Sequence, residues 1–451
     1  MLINFINIYI FTFVLYRILI LLFVLILVPD IYIYYVYVKK WTGNWKYRLL
    51  SFLPSLILLV YLFIVLSSDD MHAIHQPMVG TFVMICLLVT VPKMLFTIFD
   101  SLGLFSKHLV NYKTNASLKE ITNNTGDVEE ERLQEENEEK INQRGDTLHR
   151  YVRLFAMAIA IASAFIIVYG FIWGRNHYKV YNHTIYFKNL PKAFDGYRIL
   201  QFSDLHIGTF DDGHREDVNT IVKLINRQKC DAVVFTGDIV NYESAELEGY
   251  DQLLSQIKAP DGVFSVLGNH DYDIYLDFTS EQEQNEDIEI IKNKERRYGW
   301  NLLMNENHII RRGNDSIAII GTENDGLPPW PELGDLGKAT RGLDNLMRDS
   351  VKTDETTEHT FSVLLTHDPT YWRRDILTET FADLTLAGHT HAGQFKIFGW
   401  SPIQFKYDEW SGFYSEGEQL LNVNDGIGQI LLPFRFGAWP AVDVITLKKT
   451  D

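Results

Sequence analysis

Seven positions carry residue types that hold divalent ions: Asp204, His206, Asp238, Asn269, His367, His389 and His391. They sit in short blocks: Asp204-Leu205-His206, Gly237-Asp238, Gly268-Asn269-His270-Asp271, Thr366-His367-Asp368 and Gly388-His389-Thr390-His391. Carboxylate and amide oxygens together with neutral imidazoles suit Mn, Fe, Zn and similar ions. No cysteine belongs to the set, which argues against a structural zinc site. A carboxylate offers two oxygens, so Asp238 can bridge two ions about 3.5–4 Å apart. Such a pair lowers the pKa of a bridging water and holds a phosphoryl group for in-line attack by the resulting hydroxide. A lone Asp-x-His or a lone His is usually structural; five blocks in one stretch are hard to obtain by chance.

Scattered residues form one site only if the fold gathers them. From about Tyr178, apolar β-rich runs alternate with helical stretches, the pattern of an α/β layered fold. Strands are predicted over Tyr197–Phe202, Ala232–Phe235, Gly262–Leu267, Phe361–Leu365 and Leu384–Ala387, and a helix over Val218–Arg227. Each of the five strands runs directly into one of the blocks. Ligands in α/β sheets bind at the carboxyl ends of strands, so these ends can converge. The glycines before Asp238, Asn269 and His389 suit tight turns with close backbone approach.

At these residues the sequence resembles the calcineurin-like metallophosphoesterases, whose pattern DxH, GD, GNHD, H and GHxH occurs here complete and in order. The resemblance covers roughly Leu190 to Leu447. Ser203–Gly208 (SDLHIG), Gly388–Gln394 (GHTHAGQ) and Gly426–Pro440 (GIGQILLPFRFGAWP) look closest to its membrane-associated bacterial branch, which often has Gly where Ala392 stands. The resemblance implies a four-layer α/β sandwich, two central β-sheets flanked by helices. It implies that Asp204, His206 and His391 hold one ion, that Asn269, His367 and His389 hold the other, and that Asp238 bridges. His270 resembles the family's non-ligand histidine, which stabilises the transition state or protonates the leaving oxygen. Asp271 is then expected to orient His270 by a hydrogen bond. His214 and Asp368 lie near the blocks and read as structural. The polar stretch Asp273–Glu295 reads as an insertion near the site mouth or a solvated helix.

Residues 1–174 read as a membrane region of about four spans. The clearest runs are Leu154–Trp173, Leu49–Leu66 and Val79–Phe99, with an N-terminal stretch from Phe5 to about Val38. Lys93 lies near the end of its run, where it is expected to snorkel, and Arg17 is the notable charge inside a span. The segment 115–146 reads as a polar, acidic loop. Lys39, Lys40, Lys46 and Arg48 follow the first span, whereas Asp69 and Asp70 mark the loop between spans two and three. Basic loops stay inside, so the domain 175–451 is expected outside the cytoplasm of a bacterial cytoplasmic membrane.

The first 174 residues hold 14 Lys/Arg and 14 Asp/Glu; the remainder holds 27 against 44, and so carries the whole net charge of −17. An acidic surface disfavours extended nucleic acid, which binds through Lys and Arg. It does not disfavour a small phosphorylated ligand, because bound ions reverse the local field. Cys86 and Cys230 imply no disulfide framework. The expected function is a membrane-tethered phosphoesterase acting on a phosphodiester or phosphomonoester, a small molecule or a lipid headgroup or envelope precursor. One alternative is a cytoplasm-facing pyrophosphatase acting on a nucleotide-linked lipid precursor. Another is a non-catalytic sensor or transporter subunit, which the full ligand set disfavours.

Overall fold

The computed structural model describes residues 20, 22–66, 76–122, 128–210, 214–276, 278–343, 345–348 and 359–450. Arg17, the Asp69-Asp70 pair and residues 123–127 of the acidic segment lie outside them. The chain divides into two compact units, Met1–Tyr169 and Gly170–Asp451.

The first unit is helical: α1 (Leu22–Trp41), α2 (Leu53–Leu66), α3 (Gln76–Thr122) and α4 (Val128–Ile172), the last running into the second unit. Among the described residues, three stretches are long and apolar enough to cross a membrane: Leu22–Trp41, Gly80–Tyr112 and Glu139–Ile172. Leu53–Ile64 is a shorter apolar helix. The acidic segment expected as a loop is instead helical on both described sides, since α3 runs to Thr122 and α4 starts at Val128. Its Glu, Lys, Gln and Arg residues are good helix formers. Glu136 and Lys140 form an i,i+4 pair at 2.7 Å.

Lys93 does not snorkel. Its Nζ donates to Asp30 Oδ1 at 2.7 Å and to Ser55 Oγ at 3.1 Å. Asp100, wholly buried, accepts from Tyr32 at 2.7 Å and Tyr37 at 2.5 Å, and faces His149 Nε2 at 3.0 Å. An apolar environment makes an unpaired charge costly, and pairing between helices lowers that cost.

The second unit is a four-layer α/β sandwich. One sheet has the order β1-β12-β2-β3-β4-β5, the other β10-β11-β9-β8-β7-β6. The first comprises β1 (Lys179–Phe187), β2 (Arg198–Phe202), β3 (Ala232–Thr236), β4 (Val263–Val266), β5 (Trp300–Leu302) and β12 (Ala441–Lys449). The second comprises β6 (Glu306–Arg312), β7 (Asp315–Gly321), β8 (Ser362–Leu365), β9 (Leu384–Ala387), β10 (Gly412–Glu416) and β11 (Gln419–Val423). β2 to β5 run parallel, as do β7, β8, β9 and β11. Every residue of β3, β4, β8 and β9 is buried, as parallel strands covered on both faces must be.

Ile199, Val234, Phe264, Ile319, Val363 and Leu384 fill the space between the sheets. On the outer face of the first sheet, α5 (Arg215–Arg227) buries Val218, Ile221, Val222 and Ile225, a helical 3–4 spacing. The polar stretch after Asp273 leads into α6 (Glu281–Tyr298), capped by Ser280 and ended by Gly299.

Helix α6 also turns Glu295 inward, where Ser265 Oγ donates to its Oε2 at 2.5 Å and Oε1 has no partner. Burial, then the Asp271 carboxylate, raise the Glu295 pKa well above the usual range. A raised acid binds its proton more tightly in the folded chain. Its contribution is therefore complete below about pH 4.5 and is lost as pH climbs toward the folded value. Glu295→Gln is expected to melt higher than the parent at pH 8, by about 2–4 °C for each kcal/mol relieved. The gain should shrink toward pH 4, which thermal melts of the purified chain would read.

Candidate metal centre

Strands β2, β3 and β4 are neighbours in one sheet, and β8 and β9 in the other. Six of the seven candidate ligand residues come together at their carboxyl ends, and the seventh, Asn269, stands on the turn after β4 beside His270, whose N–H reaches Asp238. Two clusters of mutually close donor atoms result: Asp204, His206 and His391, and Asp238, His367 and His389. Backbone bonds lock the strand ends together. Asp204 N donates to Gly237 O at 2.9 Å, and Gly388 N to His367 O at 2.9 Å.

The backbone is forced to aim these side chains. Asp204, His206, Asp238, His389 and His391 all have left-handed φ, between 45° and 73°. Each such non-glycine residue costs of order 1–3 kcal/mol and persists where the surroundings over-determine it, typically at functional sites. Ala392, at φ 48°, shares that region, which is where glycine sits without strain. A Cβ on Gly388 would lie 2.6 Å from Asp204 Oδ2 and 2.7 Å from Ser203 Oγ. Only a bare backbone passes there.

Ring orientation follows from the outer nitrogens. His206 Nδ1 donates to Val240 O at 3.1 Å, and His367 Nδ1 to Thr236 O at 2.7 Å. Both Nε2 atoms therefore point inward. Asp238 Oδ2 lies 3.1 Å from His367 Nε2 and 3.6 Å from His206 Nε2, between the clusters. Its Oδ1 accepts the His270 N–H at 2.9 Å. His389 presents Nδ1 to His367 Nε2 at 3.2 Å, while its Nε2 meets the Tyr407 hydroxyl at 2.8 Å. Asn269 donates through Nδ2 to Tyr275 at 2.7 Å, leaving its buried Oδ1 with no partner. An orphaned oxygen of this kind is what a cation would satisfy.

The electrostatics fit the same reading. Burial pushes Asp204 up to about 7, a carboxylate short of positive charge. Burial pushes His206 down to about 3 and His389 to about 4, so both rings are neutral donors. Burial opposes a charge on His367 too, yet the Asp238 carboxylate beside it lifts that ring to about 10. A ligating imidazole must be neutral, so an ion bound beside His367 would compete with its proton. Oxygen and imidazole donors in this mixture fit Mn, Fe or Zn.

Asp271 does not reach His270. The tight turn Asn269–Tyr272 directs its carboxylate back at the β3 loop. There it accepts from the N–H groups of Asp238 and Gly268 at 2.8 Å each, Ile239 at 2.8 Å and Val240 at 3.2 Å. His270 is oriented instead by Asn241 O, to which its Nδ1 donates at 2.6 Å, and by stacking on Tyr275 at 4.1 Å. His214 pairs with Arg175 and Asp217, its Nε2 2.6 Å from Arg175 Nη2. Asp368 Oδ1 accepts from Thr370 N at 2.8 Å, and its buried Oδ2 faces His389 Nε2 at 3.6 Å.

Five residues around the site lie outside the blocks. Tyr407 holds the outer nitrogen of His389. Trp330 Nε1 donates to Tyr275 at 2.7 Å, and Lys406 Nζ lies 3.9 Å over the Trp330 ring, so these residues wall the mouth. Arg435, wholly buried, reaches His391 Nδ1 at 2.9 Å and the carbonyls of His391 and Asp425 at 3.1 and 2.6 Å. It lies within the Gly426–Pro440 wording, so only Arg435 had a signal in the sequence. Through the His391 and Asp425 carbonyls Arg435 holds the backbone that carries His391, and partners outside the ligand set typically matter 10–100-fold for ion affinity. Arg435→Met is expected to weaken Mn binding by about that 10–100-fold factor, as titration calorimetry on the stripped chain would read.

Residues 197–393 match the family described as calcineurin-like phosphoesterase, and residues 16–175 match the one described as probable calcineurin-like phosphoesterase, transmembrane domain. The chain is 30% identical over 274 residues to the uncharacterized metallophosphoesterase YkuE of Bacillus subtilis, covering 60% of this chain and 85% of that protein. It is 29% identical to an uncharacterized metallophosphoesterase of Aquifex aeolicus, covering 60% and 92%. It is 27% identical to a zebrafish (Danio rerio) transmembrane protein with metallophosphoesterase domain, covering 64% of this chain and 62% of that one. The match to a transmembrane domain and the apolar helices make this a membrane protein.

Proposed function

This chain belongs to the calcineurin-like metallophosphoesterases, and we propose that it hydrolyses a phosphodiester or phosphomonoester at two divalent ions held by the seven residues above. The observation that carries the proposal is Asp238 Oδ2, set between His206 Nε2 and His367 Nε2. Asp204, His206 and His391 would hold one ion, and Asn269, His367 and His389 the other, with Asp238 shared. Bound ions would supply Lewis acidity toward the phosphoryl oxygens and an activated water.

The chain's own residues do the rest. Asn241 O holds the Nδ1 proton of His270, so Nε2 is the nitrogen left for the leaving oxygen; it would give that oxygen a proton from the imidazolium form, which burial disfavours and the Asp238 carboxylate favours. Asp271 shapes the turn that presents Asn269 and His270. Trp330, Tyr275 and Lys406 wall the mouth, and Lys406 offers a cation to an anionic substrate. About four spans would tether the domain, and the basic loop after the first span favours an extracytoplasmic site. A phospholipid headgroup or envelope precursor suits that position. A reporter fusion placing the C-terminus in the cytoplasm would instead favour a pyrophosphatase acting on a nucleotide-linked lipid precursor.

Purified full-length chain supplied with Mn should hydrolyse a chromogenic phosphodiester or monoester. Absence of turnover with every divalent ion tried would sink the enzyme reading. It would return the chain to the sensor or transporter class.

A further inference from the structure

We infer that Phe398, Trp400, Phe405 and Leu431 form an apolar rim that dips into the surface of the bilayer this chain spans. Phe398 is wholly exposed, Phe405 is 82% exposed and Leu431 77%. Phe398 and Trp400 share one turn, closed by the Ile397–Trp400 backbone bonds, the Trp400 and Phe405 rings lie 6.3 Å apart, and Leu431 stands on a neighbouring loop. A cluster of large exposed apolar side chains on a folded domain marks an interaction surface.

The occupant is set by what the patch is stitched to within the second unit. Lys396 N donates to Phe436 O at 2.7 Å, Phe436 N to Gln394 O at 3.0 Å, and Gln394 Nε2 to Ile430 O at 2.8 Å. The loop carrying Phe398 is thereby tied to the loop carrying Leu431. That second loop seats on the end of the last apolar run. Arg435 N donates to Gly170 O at 3.2 Å, the Phe434 and Phe171 rings are 5.2 Å apart, and Gln429 Nε2 donates to Arg175 O at 3.0 Å. Gly170 and Gly174 permit this approach, since a Cβ on either would strike Phe434 or the Arg435 carbonyl. Residues 170–173 close the candidate span Glu139–Ile172 and end in Trp173, the residue type that marks a membrane interface. A rim anchored to a span's exit, with Trp400 on it, faces the interfacial layer, where apolar side chains settle about 5–10 Å deep.

The rim leads to the site. Phe405 is followed by Lys406, over Trp330, and by Tyr407, bonded to His389. An amphiphilic phosphoester leaving the bilayer would meet Lys406 first. That use of the rim rests on the phosphoesterase reading; the docking does not.

The test reads position, not turnover, so its failure and that of the hydrolase reading are separable. Single cysteines at Phe398, Phe405 or Leu431, labelled with an environment-sensitive fluorophore, are compared in the full chain in phosphatidylcholine–phosphatidylglycerol nanodiscs. Lys188→Cys is the exposed control, and the unsubstituted chain, whose Cys86 and Cys230 are buried, sets the background. Rim labels should be quenched by nitroxide lipids, and iodide quenching should fall about fivefold below the control, as for a group in the headgroup layer. Iodide quenching equal to the control at all three positions overturns the inference. So does shielding that depends on protein concentration without lipid quenching, which assigns the patch to a second copy of the chain.

Discussion

Asp238→Asn is expected to lower turnover of a phosphoester on the order of 10³-fold, since ion stabilisation of transition-state charge is worth several kcal/mol and each 1.4 kcal/mol is tenfold. The amide keeps the shape but loses the charge that faces His206 and His367 at 3.6 and 3.1 Å. His367 should respond too. Its ring is lifted to about 10 chiefly by that carboxylate working against burial. Without it, His367 falls toward neutrality and no anion links the two clusters. Metal analysis of the variant should show fewer than two ions per chain. Two ions and undiminished turnover would remove Asp238 from the bridging position.

His270→Ala should act differently. Loss of a positioned general acid costs roughly 10²–10⁴-fold, while the ion content should stay at the parent level because His270 lies outside both donor clusters. Its Nδ1–H is committed to Asn241 O, so it can pass a proton from Nε2 only as the imidazolium, which the Asp238 carboxylate favours against burial. The loss should be large for a substrate with a poor leaving group, such as an alkyl ester, and small for a nitrophenyl ester that departs unaided. Equal losses on both substrates would reassign His270 to positioning.

Much of this site was legible because each block follows a buried strand. The runs ending at Phe202, Thr236, Val266, Leu365 and Ala387 are short, apolar and closed by Gly or a polar turn residue, and their strands form within about a residue of expectation. What those runs do not reveal is their neighbours. Strand β12 inserts between β1 and β2, pairing Lys179 with Ala441 across most of the domain. The contribution of Tyr407, Tyr275 and Trp330 is invisible for the same reason: no fixed spacing ties them to a block.

The misreadings have local causes. Asp271 follows His270 in the chain, but the intervening turn sends the two side chains to opposite partners, four N–H groups for one and a carbonyl for the other. Lys93 sits near the end of its own apolar run, yet its partner Asp30, 63 residues away in the chain, holds its ammonium. The acidic segment looked like a loop on polarity, although its composition favours helix.

The most direct measurement is anomalous diffraction at the manganese edge from crystals of the full chain soaked in that ion. Two peaks are expected about 3.5–4 Å apart. One should lie among Asp204, His206 and His391, the other among Asn269, His367 and His389, with Asp238 touching both. A single peak, or saturating manganese bound elsewhere while these residues stay without it, would contradict the two-ion centre.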